Sequence, residues 1–159
     1  MRPSVEPDMI VTRVRATSYI TRATAYGPEL LVFEYPAVPE AAVHLPGGGV
    51  EPGERPDAAA MREAVEETGI AGCLQLRGVV GVQDSTYANG KPCITVYFHL
   101  VTDEPRDEWK HVMVGDDDAW DTGLVVSCRF VSFAEADKLL SSSGYRQGEF
   151  LHFLGEEPT

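Results

Sequence analysis

Basic residues are scarce in this sequence: 13 Lys and Arg stand against 25 Asp and Glu, a formal charge of −12 over 159 residues. A surface so short of positive charge repels phosphodiester backbones and anionic lipid alike, which excludes adhesion to a nucleic-acid polymer or a membrane as the main activity. Cysteine is scarce too. Cys73, Cys93 and Cys128 form an odd, scattered trio without a C-x-x-C pair, which argues against a disulfide framework or a zinc ribbon and for buried free thiols. Nothing approaches the roughly 18 consecutive apolar residues of a membrane helix. The first twenty residues, interrupted by Arg2, Glu6, Asp8, Arg13 and Arg15, lack the apolar core of a secretory leader. A cytoplasmic setting is the expectation that follows.

What remains is ordinary globular composition, 43% hydrophobic and 24% charged, in a length that suits one domain with its own core. Residues 1–8 read as a flexible lead-in and 9–155 as a single domain. Met9 to Thr24 and Leu30 to Tyr35 read as strands of a hairpin turning at Gly27-Pro28. The prolines and glycines between Pro36 and Gly53 exclude helix and leave loop, with at most a short strand at Val43 to Leu45. Leu74 to Gln83 and Pro92 to Val101 read as strands joined by the turn residues Tyr87 to Gly90. Thr102 to Thr122 reads as a long acidic connection, Gly123 to Phe133 as a last strand, and Ala134 to Leu140 as a helix capped by Ser132. This order predicts a mixed α/β sandwich.

The clearest helix runs from Pro56, suited to a first helical position, to Thr68, with Gly69 as its stop. Ala58, Met61 and Val65 are its expected buried stripe, and Glu63, Glu66 and Glu67 gather on another face within roughly 100°. An acidic helix face is usually only solvated. This one directly follows Gly47-Gly48-Gly49-Val50-Glu51-Pro52-Gly53-Glu54, whose glycines let backbone approach a ligand closely. Like charges at i, i+3 and i+4 repel unless a cation sits among them. Oxygen donors without His or Cys suit Mg²⁺ or Mn²⁺ rather than zinc.

The segment Gly48 to Ile70 resembles the Nudix box, G-x5-E-x7-R-E-U-x-E-E-x-G-U with U aliphatic. Gly48, Glu54, Arg62, Glu63, Glu66, Glu67, Gly69 and Ile70 occupy its fixed places, and Ala64 fills the first aliphatic slot. Arg55 stands where members of the family often carry a Ser or Thr cap. The resemblance implies the Nudix fold, an α/β/α sandwich with a mixed central sheet. It also implies hydrolysis, by water attack on phosphorus, of a nucleoside diphosphate linked to another group. It further implies Glu66, Glu67 and the Gly47 carbonyl as ligands of Mg²⁺ or Mn²⁺, with Glu63 as a further ligand or the general base. Arg62 would tie the helix to the loop through Glu54. Some family members take the base from a distant loop, for which Glu108 and Glu104 are the candidates here.

Outside the box the signals are thinner. Tyr87 follows the box at a spacing resembling that of a tyrosine in dinucleoside polyphosphate hydrolases, whereas Ser85 and Thr86 leave no proline of the kind ADP-ribose enzymes carry. Trp109 and Trp120 are candidates either to stack on a base or to cover the core, and Arg13, Arg15 and Lys91 read either as solvated strand residues or as groups that reach phosphates. His44 reads as packing near the loop. The expected substrate is a nucleotide, with nucleoside triphosphates or dinucleoside polyphosphates as the first guess. A nucleotide sensor without turnover is the alternative, and a homodimer stays open.

Overall fold

The structure, a computed structural model, describes residues 11–38, 40, 42–115, 122–141 and 146–154. The expected lead-in, Trp120 and the acids at 116–118 and 121 lie outside the described residues. Alternation of apolar side chains along the strands builds two cores, one on each face of a mixed seven-stranded sheet. The chain order is β1 (Arg13–Thr24), β2 (Gly27–Glu34), β3 (Gly47–Gly49), α1 (Pro56–Thr68), β4 (Leu74–Thr86), β5 (Pro92–Thr102), β6 (Glu108–Val112), β7 (Val125–Ser132), α2 (Phe133–Ser141) and α3 (Leu151–Leu154). In space the strands run β4-β5-β1-β2-β7-β6, with β3 added to β1. β1 and β5 are parallel, and the other pairs are antiparallel.

Ala16, Ile20, Leu31, Phe33, Phe98, Val126 and Cys128 face α1. Their neighbours Tyr19, Leu30, Val32, Tyr97 and Val131 face α2 and α3. The result is the α/β/α sandwich expected from the sequence. β1 is its hub. One edge pairs with β5 from Arg13 to Thr21, while the other is shared by β2 at Thr21 to Thr24 and β3 at Arg15 to Thr17. The glycine strand therefore occupies the half of β1 that the hairpin leaves free, which fixes where α1 begins.

Several local expectations are corrected. The hairpin turns at Ala25-Tyr26, one step before Gly27, because the Thr24 hydroxyl donates to the Gly27 carbonyl and accepts from Tyr26 N–H. The short strand lies at Gly47–Gly49; His44 makes only an isolated bridge to Phe33. Helix α1 keeps its expected limits, yet the residues it buries are Ala59, Ala60, Ala64 and Thr68, whereas Val65 is half exposed. Small side chains face the sheet here so that the helix can lie close to it. The long acidic connection contains β6, which pairs with β7 from Glu108–Arg129 to Val112–Val125. Ser132 caps α2 as expected, its hydroxyl accepting from Glu135 N–H.

The residues after α1 are held by Glu104, whose side chain is 1% exposed. It accepts from the backbone N–H groups of Ala71 (2.7 Å) and Gly72 (3.1 Å) and pairs with the Arg106 guanidinium at 2.8 Å. The pairing with Arg106, helped by those N–H groups against the effect of burial, lowers its carboxyl to about 2. Glu104 is thus a structural tie, which removes it as a candidate base. Its folded value lies below the ordinary 4.5, so its contribution to stability is complete above pH 4.5 and is lost as pH falls toward 2. Glu104→Gln is expected to destabilise the protein by about 2 kcal/mol at pH 7. In urea titrations the gap to the parent protein should close between pH 4.5 and 2; a gap independent of pH would contradict this reading.

Candidate functional site

Three glycine residues bring backbone between two sets of charges. Hydrogen bonds from Ser18 N–H to Pro46 O and from Val50 N–H to Val14 O flank the β1–β3 pairing. By antiparallel alternation, Gly47 and Gly49 then turn both their N–H and C=O groups away from β1. There Gly47 N–H donates to Glu67 Oε1 at 2.6 Å, and the Gly49 carbonyl accepts from Arg62 Nη2 at 3.1 Å. A Cβ on Gly48 would overlap the Glu63 carboxyl, whereas one on Gly49 would overlap the Arg13 guanidinium. Consecutive residues of a strand present opposite faces. β3 is therefore a thin septum, with carboxylates of α1 on one side and arginines of β1 on the other.

On the helix side Arg62 is the organiser. Its Nε and Nη2 both reach the Glu54 carboxylate at 2.8 Å, a bidentate pair. Its Nη1 contacts Glu63 at 2.9 Å and Glu66 at 3.1 Å. One guanidinium thereby ties the loop before α1, the Gly49 backbone and two helix carboxylates. Hydrogen bonding to Arg62, with help from Glu51 N–H, lowers the Glu54 carboxyl to about 2. Glu63 behaves oppositely: burial raises its carboxyl above the ordinary value, Arg62 pulls it back, Glu66 pushes it up, and Arg15 pulls it back from across the septum.

The end of α1 is finished by β6. Gly69 adopts a left-handed φ of 62°, and its N–H caps Val65 O at 2.9 Å. The His111 ring packs where a Cβ would project, so only glycine fits this position. Carbonyls left without partners by the helix terminus are met from outside the helix. Glu66 O accepts from Val114 N–H (3.0 Å) and contacts His111 Nε2 (2.9 Å). Thr68 O accepts from the indole N–H of Trp109, and Gly69 O from Arg106 Nη2. This corrects the expectation for Trp109. Its ring, packed between Phe130 and the Arg106 guanidinium, caps the helix instead of facing a ligand. Glu108, expected as an alternative base, is exposed on the strand face opposite Trp109 and does not line the cleft.

An open cleft of about 1170 Å³ crosses this end of the sheet. Glu63, Glu66, Glu67, Arg62 and Gly47 to Gly49 form its acidic wall. Arg13, Arg15, Lys91, Tyr87 and Asn89 line it beyond the glycine strand, as a second wall that is basic. Tyr87 stands near Cys93, Arg13 and Arg15; burial and the Cys93 thiol raise its phenol against the pull of the two arginines. Of the residues expected around a ligand, the structure thus gathers the box, Tyr87, Arg13, Arg15 and Lys91, and leaves out Trp109 and Glu108. It adds Asn89, Met113 and Thr122, which carry no pattern in the sequence.

Among the described residues no three His, Cys, Asp or Glu side chains stand ready around a common point. Arg62 and the Gly47 N–H engage the box carboxylates instead. The donor set nevertheless suits a hard divalent cation in kind: three carboxylates within two turns of one helix, facing a backbone carbonyl that β1 does not use.

Comparison with known proteins follows the same line. The sequence model described as "NUDIX domain" matches residues 12–153. Mouse diphosphoinositol polyphosphate phosphohydrolase 3-alpha is 33% identical over 105 residues, covering 63% of this chain and 62% of the relative. Human diphosphoinositol polyphosphate phosphohydrolase 2 is 36% identical over 78 residues, 48% of this chain and 40% of the relative. The chain therefore spans less than two thirds of the length of these curated relatives. A Caenorhabditis elegans Ap4A hydrolase binary complex aligns with a TM-score of 0.64 at 22% identity, covering 91% of this chain and 96% of that one. The MutT protein from Methanosarcina mazei Go1 aligns with a TM-score of 0.60 at 19% identity, covering 97% and 100%. At these identities the structural matches establish the fold alone.

Replacing the guanidinium fork by a single ammonium tests the organiser of the site. Arg62→Lys keeps the charge but cannot hold Glu54 in two places while reaching Gly49. It should lower stability by about 1–3 kcal/mol. In a carboxyl titration by NMR it should also return Glu54 from about 2 toward 4.5. A Glu54 titration unchanged by the substitution would show that the tie does not have this role.

Proposed function

Because the chain belongs to the Nudix family, we propose that it is a divalent-cation-dependent pyrophosphohydrolase cleaving a phosphoanhydride bond of a polyphosphorylated, nucleotide-type substrate. The observation that carries this is the convergence of Glu63, Glu66 and Glu67 with the outward Gly47 backbone on one wall of a cleft whose other wall is basic. Glu66, Glu67 and the Gly47 carbonyl would hold Mg²⁺ or Mn²⁺. Such a cation, when bound, neutralises phosphoryl oxygens and makes water a stronger nucleophile at neutral pH. Arg62 holds the helix and loop in register, and Gly48 lets Glu63 press against the strand. There Glu63 serves as a further ligand or takes the proton of the attacking water. With Glu104 structural and Glu108 outside the cleft, Glu63 is the stronger candidate for that proton.

On the second wall, Arg13, Arg15 and Lys91 supply the positive charge that an anionic substrate needs in so acidic a protein, and Tyr87 offers an aromatic edge to the group beyond the phosphates. These cations favour a substrate carrying further phosphates away from the cleaved bond over one ending in a neutral sugar. The activities for which the relatives are named, on diphosphoinositol polyphosphates and on Ap4A, are both of that kind. The free thiols Cys73, Cys93 and Cys128 support a reducing, cytoplasmic setting. No helix among the described residues is long and apolar enough to cross a membrane.

Product formation should be followed by 31P NMR with Mg²⁺ on a panel of Ap4A, a diphosphoinositol polyphosphate, nucleoside triphosphates and ADP-ribose. Turnover of one of the more highly charged compounds should exceed that of ADP-ribose by about tenfold, a difference of one well-placed charged contact. Glu67→Gln should lower it by on the order of a hundredfold with the fold intact. Tight binding without product across the panel would instead identify a sensor, and full activity of Glu67→Gln would reject the site.

A further inference from the structure

The segment that delivers Gly47 to the site is held from an unexpected direction. Three successive residues have their backbone fixed by three different elements. Leu45 N–H donates to the Gln147 side-chain Oε1 at 3.0 Å, Pro46 O accepts from Ser18 N–H of β1 at 2.9 Å, and Gly47 N–H donates to Glu67 of α1 at 2.6 Å. Pro46 has no N–H of its own, so Leu45 offers the last backbone donor before the glycine strand. Gln147 lies about a hundred residues away in sequence, in the turn leading to α3 on the face opposite α1.

That turn is itself tightly docked. The Tyr19 hydroxyl donates to Gln147 O and accepts from Phe150 N–H. Gln83 Nε2 donates to Arg146 O at 2.8 Å and to Glu149 Oε1 at 2.9 Å, while Gln83 Oε1 accepts from the Tyr97 hydroxyl at 2.8 Å. Phe150 fills the space over Gly81 that a side chain there would occupy. Arg146, in the left-handed region at φ 56°, is pinned by its guanidinium to Asp84 O at 3.0 Å. The carboxamide of Gln147 is therefore presented to Leu45 from a rigid platform built on β1, β4 and β5.

We propose that Gln147 is a positioning residue for the cation site: through Leu45 N–H it sets the direction in which the Gly47 carbonyl faces α1. The inference rests on the reading of Gly47 and Glu67 as cation ligands. Gln147 does not line the cleft. It acts by removing freedom from a stretch whose only side chain between Gln147's contact and the site is the ring of Pro46. A backbone carbonyl that must meet a cation with carboxylates from another element gains affinity when its direction is fixed beforehand.

The test is Mn²⁺ binding to the whole protein, followed by the loss of the free-ion electron paramagnetic resonance signal without substrate. Gln147→Met keeps the volume and removes the acceptor, Gln147→Glu keeps an acceptor oxygen, and Gln83→Met loosens the same turn without touching Leu45. Gln147→Met should weaken Mn²⁺ binding about fivefold, the worth of one positioning hydrogen bond, with amide exchange accelerated at Leu45. Gln147→Glu should stay within about twofold of the parent, and Gln83→Met should lower the melting temperature without that loss of affinity. If Glu67→Gln weakens Mn²⁺ binding but Gln147→Met does not, the positioning role is overturned and the site stands. If Glu67→Gln leaves binding unchanged, the cation-site reading fails and this inference fails with it. Equal loss in Gln147→Met and Gln83→Met would reduce Gln147 to general support of the fold and also overturn the proposal.

Discussion

A planar guanidinium with five donors is shared among a loop, a strand and a helix, and the geometry of the cleft follows from that sharing. Arg62 spends two contacts on Glu54, one on the Gly49 carbonyl, and the rest on Glu63 and Glu66. The contact with the Gly49 carbonyl cannot be made unless the helix lies almost against the glycine strand. That approach needs alanines on the buried face of α1 and no side chains on β3. The same cation also offsets repulsion among four carboxylates, but one positive charge against four leaves the wall strongly negative. Attraction for divalent cations is the physical consequence of that imbalance.

The acidity of the chain has a spatial logic. Fourteen of its 25 acids fall in two segments, six from Glu51 to Glu67 and eight from Asp103 to Asp121. Some of these are structural: Glu54 holds Arg62, Glu104 holds the turn after α1, and Asp107 pairs with Arg22 at 2.5 Å. Among the described residues, the carboxylates left lining the cleft are those of α1 and Glu51 of the loop before it, and the few cations nearby come from β1 and the β4–β5 turn. The glycine septum keeps the two sets apart, so they do not simply neutralise one another as surface ion pairs. A site that retains both signs can hold a cation on one wall and phosphates on the other.

How much of this was legible in the sequence depended on whether the information was local. The box could be read because helical spacing fixes the relation of Arg62, Glu63, Glu66 and Glu67, and because Pro56 and Gly69 mark the ends of α1. The buried stripe was misread because hydrophobicity favoured Met61 and Val65, whereas close packing on the sheet selected Ala59, Ala60 and Ala64. Trp109 and Glu108 were misplaced because β6 is defined by pairing with β7, a long-range contact with no signal in an acidic stretch. Glu104 looked like any acid of that stretch until its burial against Ala71 and Gly72 was known. Arg13, Arg15 and Lys91 looked like solvated strand residues, and only the parallel pairing of β1 with β5 brings them to one wall.

The two faces of the sheet divide the work differently from the two walls of the cleft. The α1 face carries the residues of the motif, while the opposite face carries Tyr19, Tyr97, Gln83 and the turn at Gln147, a polar network within an apolar core. Such a network is costly to bury unless each member is satisfied, and here the hydroxyls of both tyrosines and the amide of Gln83 have partners. An apolar core would have covered the sheet equally well. What it could not supply is an acceptor pointed at Leu45 N–H, the donor nearest the glycine strand. Motif residues alone therefore do not hold the segment that leads into Gly47, because Leu45 is anchored from the far side of the sheet. The other polar side chains lining the cleft come from β1 and the β4–β5 turn. Proteins sharing this fold and motif can accordingly perform one reaction on quite different substrates.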